Sequence, residues 1–332
     1  MNASHDATRR QWLTRNLGLA AAAAAAMPGW ALAASESAYP NKPVRVIVPF
    51  AAGGTTDVVA RLVLQKLGER LGQSFVVENK GGAGGSIGTD QVARATPDGY
   101  TLLLNTAGAQ TLSPVIYKVG YEALASFEPI THICDVGFIV IARKDLPASN
   151  MKELITLARG PKPLSMSSGS SMINLMSEEF KRIIKAPETV NAQYKGTAPQ
   201  MQAVVAGEVD FSLDSFAAVE MIRAGRVKAL GVVMPQRAAS FPDVPTLKEQ
   251  GIEGMDFSSW AGLLAPKGTP KEAVTLLARE MDKVMQMEDV QAKLRSYNYV
   301  PRRTSPEEFG KMIAADNERW KRIVQETGFK VS

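Results

Sequence analysis

Cysteine and histidine are nearly missing from this 332-residue chain, which has one cysteine, Cys134, and two histidines, His5 and His132. A single thiol excludes an intramolecular disulfide, so stability must come from buried cores. Cys134 lies in "THICDVGFIVIA", a stretch that looks like sheet interior, and it reads as a structural thiol in preference to a reactive one. So few imidazoles and thiols leave no cluster at zinc-ligand spacing. A Ser/His/Asp triad in the body of the chain would have to use His132, whose apolar, strand-like surroundings suit a hydrogen-bonded core residue better than a general base. Walker A and GxSxG sequences are also lacking. Charge of one sign is not in excess: 38 Lys and Arg face 33 Asp and Glu, a formal net charge of +5, and the two signs are interleaved. No stripe for nucleic acid results, only a weak attraction for anions. Nothing in these absences argues for catalysis, a metal or a cofactor.

What is present is ordinary for a soluble globular protein, 45% hydrophobic and 21% charged, and the length suggests two domains. The first 33 residues differ. Arg9, Arg10 and Arg15 precede the apolar run "LGLAAAAAAAM", then Pro28 and Gly29, then "ALA" at 31–33, the order of a secretory signal with its cleavage site near Ala33. The run is short and alanine-rich for a membrane anchor, the alternative reading. "TRRQWL" carries the paired arginines of twin-arginine export, although ordinary basic leaders have them too, so the Sec and twin-arginine routes stay open. No cysteine follows the run to take a lipid, and no other run of about 18 apolar residues appears. The expected product is soluble outside the cytoplasm, beginning near Ala34.

Past the linker "SESAYPNKP", strand-like and helix-like stretches alternate: "VRVIVPF", a helix from Asp57 to Leu71, "SFVVEN", a helix around "SIGTDQVARA", and "TLLLN". "FEPITHICDVGFIVIARKD" looks like paired strands. A second series follows: helix "SNMKELITLAR" capped by Ser149 or Asn150, strand "LSMSS", a helix from Met172 to Ile184, "TVNAQY", "APQMQAVVAG", "DFSLD", "FAAVEMIRAG" and "VKALGVVM". "FSSWAGLLAP" reads as a strand, and amphipathic helices near 270–287, 288–296 and 305–327 end the chain, with Pro270 and Pro306 at helix starts. The alternation predicts α/β architecture with mostly parallel sheets in two domains that flank a cleft.

Two loops carry the functional argument. "GGAGGSIG" at 81–88 has dinucleotide-like glycine spacing, but no acid ends the next strand, so a tight crossover is the better reading. In "VRVIVPFAAGGTTDVVARLV", by contrast, Ala51, Ala52, Gly53, Gly54, Thr55 and Thr56 join a strand to a helix. Small residues there leave backbone N–H groups uncovered, and the helix N-terminus adds about half a positive charge, a setting that suits a carboxylate. A plain turn capped by Thr56 or Asp57 accounts for the cap but not for the Ala-Ala-Gly-Gly run. "SMSSGSSMINL" at 165–175 repeats the design with Ser167, Ser168, Gly169, Ser170 and Ser171. Two such cradles on one cleft suggest a clamped anion.

The segments "YPNKPVRVIVPFAAGGTTDVVAR", "VVENKGGAGGSIGTDQVARATPDGYTLLL", "YKGTAPQMQAVVAGEVDFSLDS", "IRAGRVKALGV", "FPDVPTLKEQG" and "WAGLLAPKGTP", in this order, resemble the periplasmic solute receptors of tripartite tricarboxylate transporters, the Bug receptors. The resemblance spans essentially the whole chain after the leader. It implies a type II periplasmic-binding-protein-like fold: an α/β domain of residues 34–141 and 259–332, a second of residues 142–258, crossing strands between them, and closure on a ligand. It further implies that Ala52, Gly53, Gly54, Thr55, Thr56 and Asp57 on one side and Ser168, Gly169, Ser170 and Ser171 on the other hold one carboxylate, in part through water. Tyr194, Gly196 and Asp214 should line the second wall, with Thr106, Gln110 and Asn174 nearby. Asp214 equally suits a cap for the helix that follows. Gln110 and Asn174 stand where many relatives have histidine, so the ligand's identity is not transferable. Trp260 and Tyr194 suggest an aromatic wall, or simply core.

The expectation is a monomeric, exported receptor that captures a small organic carboxylate for a membrane transporter or a sensor, with no cofactor and no nucleic-acid partner. The alternatives are an exported α/β enzyme acting on such an acid and a scaffold without a small ligand.

Overall fold

The run "VRVIV" becomes β1 (Val44–Val48), buried at every position but Arg45, as befits a strand covered on both faces. The computed structural model describes residues 39–216, 218–255 and 257–330, so the expected signal at 1–33 and its cleavage site lie outside the described residues. The chain divides into two units, Met1–Asn41 and Lys42–Ser332, and all of the architecture below belongs to the second. The other strands are β2 (Phe75–Asn79), β3 (Thr101–Thr106), β4 (Phe127–Val136), β5 (Phe138–Arg143), β6 (Ser165–Ser168), β7 (Val190–Gln193), β8 (Phe211–Asp214), β9 (Val227–Val233), β10 (Ser259–Pro266) and β11 (Tyr299–Pro301).

Two sheets form, in the orders β11-β4-β10-β3-β1-β2 and β7-β6-β8-β5-β9. In the first, β1 runs parallel to β2 and β3, whereas β10 is antiparallel to β3 and β4, and β11 to β4. In the second, β6 is parallel to β7 and β8, and β5 is antiparallel to β8 and β9. The sheets are therefore mixed rather than mostly parallel. Strands β10 and β5 arrive from the other sheet without a crossover helix of their own, and parallel pairing requires one. For the same reason "FEPITHICDVGFIVIARKD" is not a hairpin: β4 stays in the first sheet, the chain passes through Gly137, and β5 enters the second.

The helices are α1 (Thr55–Leu71), α2 (Ser86–Ala93), α3 (Ser113–Ile116), α4 (Met151–Ala158), α5 (Ser171–Ile183), α6 (Thr197–Ala206), α7 (Val219–Arg223), α8 (Lys271–Met285), α9 (Glu288–Ser296) and α10 (Pro306–Thr327). Asn150 caps α4, accepting from the Glu153 N–H. "FAAVEMIRAG" yields only the five residues of α7, and β11, too short for a periodicity signal, was not foreseen. α10 opens with a capping box between Ser305 and Glu308 and has Pro306 in its first turn, where a missing N–H costs nothing. Phe309, Ile313, Trp320 and Ile323 form its buried face. Trp320 stacks on Phe257 at 5.5 Å, and its indole N–H donates to Thr111 Oγ1 at 3.2 Å, so the C-terminal helix braces the loop that follows β3.

On α8, the buried Glu280 carboxylate takes hydrogen bonds from Lys283, Arg70 and Arg279. Lys283 and the two guanidiniums outweigh the desolvation that opposes them and pull its pKa down from 4.5 to about 2. Because the folded value lies below the unfolded one, this stabilisation is full above pH 4.5 and drains away as the pH falls towards 2. Melting curves of Glu280→Gln should accordingly lie below wild type at neutral pH and converge with it through that acid window; parallel curves would refute the assignment. Truncating Trp320 to Ala should cost about 3–5 kcal/mol in denaturant unfolding, the range for a fully buried tryptophan. A cost under about 1 kcal/mol would show that α10 does not brace this loop.

Candidate ligand site

The first loop is held open by a fastening beneath it. Ala51, Ala52, Gly53 and Gly54 are exposed, Gly53 adopts a φ of +77° that favours glycine, and Gly54 is the N-cap of α1 with no side-chain cap. Gly54 N–H closes a turn onto the Ala51 carbonyl at 3.3 Å. Asp57, 3% exposed, points back under the loop and accepts from Gly53 N at 2.9 Å, Arg61 Nε at 3.0 Å and Asn79 Nδ2 at 3.0 Å. Burial works against its charge, but Arg61, Gly53 and Asn79 together hold the carboxyl below the usual aspartate value. Asn79 also donates to the Phe50 carbonyl at 3.1 Å. Asp57 thus pins the turn, and the N-cap Gly54 offers the first N–H groups of α1 no side-chain acceptor. Thr55 begins the helix and Thr56 is buried.

Two more loops of the first sheet adjoin this one. A Cβ on Gly85 would lie 2.8 Å from Ala109 Cβ and 3.1 Å from the Phe50 ring, so the glycine-rich stretch 81–88 packs against both neighbours as a close crossover. After β3, Thr106 is half-buried and a wide helical turn runs over Gly108–Leu112 into α3. Gln110 is fully buried, with Oε1 accepting from Asn105 at 2.7 Å and Nε2 donating to the Ala123 carbonyl. Both ends of its amide serve the loop's own interior.

In the second cradle, Ser168 ends β6, and its carbonyl accepts from Tyr194 N at 2.8 Å. Gly169 leaves no room for a side chain, since a Cβ there would fall 2.4 Å from the Gly196 carbonyl and 2.6 Å from Gln200 Oε1. Gln200 Nε2 donates to Ser212 Oγ and the Leu213 carbonyl, which ties α6 to β8 behind the cradle. Two buried acceptors, Ser168 Oγ and Gln200 Oε1, have no partner among the described residues. Ser170 caps α5 by accepting from Ile173 N at 3.2 Å, and Ser171 Oγ lies 2.6 Å from the Tyr117 hydroxyl. Gly196, at φ +114°, is the N-cap of α6, again without a side-chain cap.

Asn174, Asp214, Tyr194 and Trp260 also have partners within the fold. Asn174 Oδ1 accepts from Asn191 on β7 at 2.8 Å, so the side chain faces its own sheet. Asp214, fully buried, accepts from Ala218 N at 3.0 Å and fastens the turn before α7; the helix expected near Ser215 starts instead at Val219, with Ala218 and not Asp214 as its N-cap. Tyr194 is half-buried, its hydroxyl 3.4 Å from Glu208. Trp260 is 2% exposed, with its indole N–H on Asp316 Oδ2 at 3.0 Å and its ring edge-on to Phe309. It belongs to the core and forms no aromatic wall with Tyr194. His132 is buried too, its Nε2 3.0 Å from Asp135 Oδ1 and its ring stacked on Phe309. Burial pushes the Cys134 thiol well above its ordinary value, which makes it inert. Among the described residues no group of three or more His, Cys, Asp or Glu could hold a metal ion, and no helix is long and apolar enough to cross a membrane.

Contact between the loop systems runs through 106–117: Tyr117 meets Ser171, and a Cβ on Gly108 would come within 3.9 Å of Met172 Sδ. Sequence reading missed Tyr117, Arg61, Asn79 and Gln200. Of these only Arg61 left a trace, as the basic partner four residues after Asp57.

Backbone N–H groups and serine hydroxyls thus stand at the starts of α1 and α5, and the chain that carries them is similar to known proteins. The model of the tripartite tricarboxylate transporter family receptor matches residues 59–329. Protein BugT of Bordetella pertussis is 33% identical over 316 residues, covering 92% of this chain and 95% of that protein. The structure of the periplasmic binding protein BugD is 36% identical with a TM-score of 0.74, over 88% of this chain and 99% of BugD. R. palustris Rpa4515, solved with adipate, is 32% identical with a TM-score of 0.76, over 87% of this chain and 98% of that one. On these grounds the chain belongs to the tripartite tricarboxylate transporter receptor family, the Bug proteins, a family of solute-binding receptors rather than of enzymes.

Proposed function

We propose that this receptor takes one carboxylate of a small organic diacid between the amides of residues 52–56 and the Ser168–Ser171 loop. It passes the acid to a tripartite tricarboxylate-type transporter or to a sensor. The uncapped start of α1, beneath an exposed glycine turn that Asp57 pins from below, carries this reading. A carboxylate there supplies the acceptor that the helix lacks and meets the positive end of its dipole. The adipate bound to Rpa4515 supports a diacid. Residues 34–141 with 259–332 form one lobe and 142–258 the other, and closing them excludes water and strengthens each hydrogen bond. Thr106, Tyr194 and Gly196 complete the opening, while Asp57, Gln110, Asn174 and Asp214 hold its walls. The leader at 1–33 is removed near Ala33 after export by the Sec or twin-arginine route, and the mature protein works as a monomer, without cofactor or turnover.

A thermal-shift screen of the purified protein against succinate, malate, glutarate, adipate, citrate, benzoate and amino acids should find a diacid that raises the melting temperature. At a hundredfold excess over Kd the gain is about 2.7 kcal/mol. Chromatography should recover that acid unchanged; its consumption would favour the enzyme alternative, and no shift with any acid would sink the receptor reading.

Gly54→Val discriminates further. Gly54 has an extended backbone that any residue adopts, and its Cβ would press only the Ala51 carbonyl, at 3.2 Å. The variant should lose the ligand-induced shift and keep its apo melting temperature within a few degrees. Gly169→Val is the poorer probe, since backbone blocks its Cβ and fold and binding would fall together.

A further inference from the structure

Tyr117 and Ser171, 54 positions apart, join hydroxyl to hydroxyl at 2.6 Å, both half-buried. Tyr117 is presented by the first sheet and Ser171 opens α5 on the second. The tyrosine's support is rigid. Its N–H closes onto the Ser113 carbonyl at 2.9 Å, Thr111 Oγ1 donates to the Ala107 carbonyl at 2.8 Å, and Asn317 Nδ2 holds the Thr111 carbonyl at 2.7 Å. The approach of Met172 to Gly108 makes a second point of contact between the same two segments. Ser170 spends acceptor capacity on its own helix, so Ser171 is the serine of this loop that the opposite sheet holds.

Geometry alone lets either oxygen donate, but the phenol is the more acidic hydroxyl and the better donor. With Tyr117 donating, Ser171 Oγ accepts, and its own proton is free for another acceptor. A hydroxyl that accepts while it donates is polarised, and its outgoing bond is strengthened. We propose that Tyr117 is a positioning residue of the receptor: from the first sheet it fixes and polarises the Ser171 hydroxyl as a donor to the bound carboxylate. The inference rests on the receptor reading above and adds a residue that makes the second cradle depend on the first sheet.

Calorimetric titration of the purified protein with succinate, malate, glutarate and adipate tests it, using Tyr117→Phe, Ser171→Ala, their double variant and Ser171→Thr. For the acid that wild type binds, Tyr117→Phe should raise Kd about fivefold, the worth of one ordinary hydrogen bond, with the apo melting temperature nearly unmoved. The double variant should bind no more weakly than Ser171→Ala alone, because Tyr117 acts through Ser171. Ser171→Thr keeps the hydroxyl and should stay within about twofold of wild type. A Kd for Tyr117→Phe within about twofold of wild type, whatever its melting temperature, would reduce the bond to a structural clasp, and multiplicative effects of the two single variants would overturn the coupling. If wild type binds none of the four acids, the receptor reading fails and this inference with it; binding by wild type with unaltered Tyr117→Phe removes this inference alone.

Discussion

A buried carboxylate that faces away from the opening sets the rest of the site. Asp57 could have capped α1, as aspartate in a first helical turn often does, and would then have supplied the anion that the helix end attracts. Tied instead to Gly53, Asn79 and Arg61, it spends its charge beneath the loop. Gly54 gives the helix end no side-chain cap, and Asp57 pins the turn before it. Preorganisation of this sort lowers the ordering cost of binding. On the proposed reading, bulk at 51–54 would cover the amides that take the carboxylate, which accounts for the small residues at this strand–helix junction.

The mixed sheets give the second constraint. The chain leaves the first sheet at Gly137 and returns to it at β10, so two connections, β4 to β5 and β9 to β10, join the sheets covalently. The loops at the ends of β1 and β3 are thereby carried on one sheet and the loop at the end of β6 on the other. Tyr117 with Ser171 and Gly108 with Met172 mark where the two meet. In the proposed receptor the grip would be shared between the two sheets.

Much of this was readable in the residues. The small-residue junction, the serine loop and the order of strands and helices all follow from local chemistry, and α1 begins two residues before the expected Asp57 because glycine at 54 caps without a side chain. Reading failed where the answer lay in tertiary space. Gln110 and Asn174, expected near the ligand, bond to Asn105, Ala123 and Asn191; Trp260, for which wall and core both stood open, is core held by Asp316. Tyr117 carries no local mark at all, since its meaning comes from a serine on the other sheet. Polar residues near a site divide into those that face the guest and those that hold the first group, and only distances and burial separate the two.

The brace on the loop after β3 has a consequence for how the molecule is made. Thr111 is tied to Asp316 and Trp320, 205 and 209 positions downstream, and β10 and β11 fill the middle and one edge of the first sheet. Pairings of such sequence separation form late, after the entropy of closing a very long loop has been met. The half of the protein that leaves the ribosome first is thus the last to be finished, and a chain cut short before α10 would carry every residue of both cradles without the buttress that holds them in place.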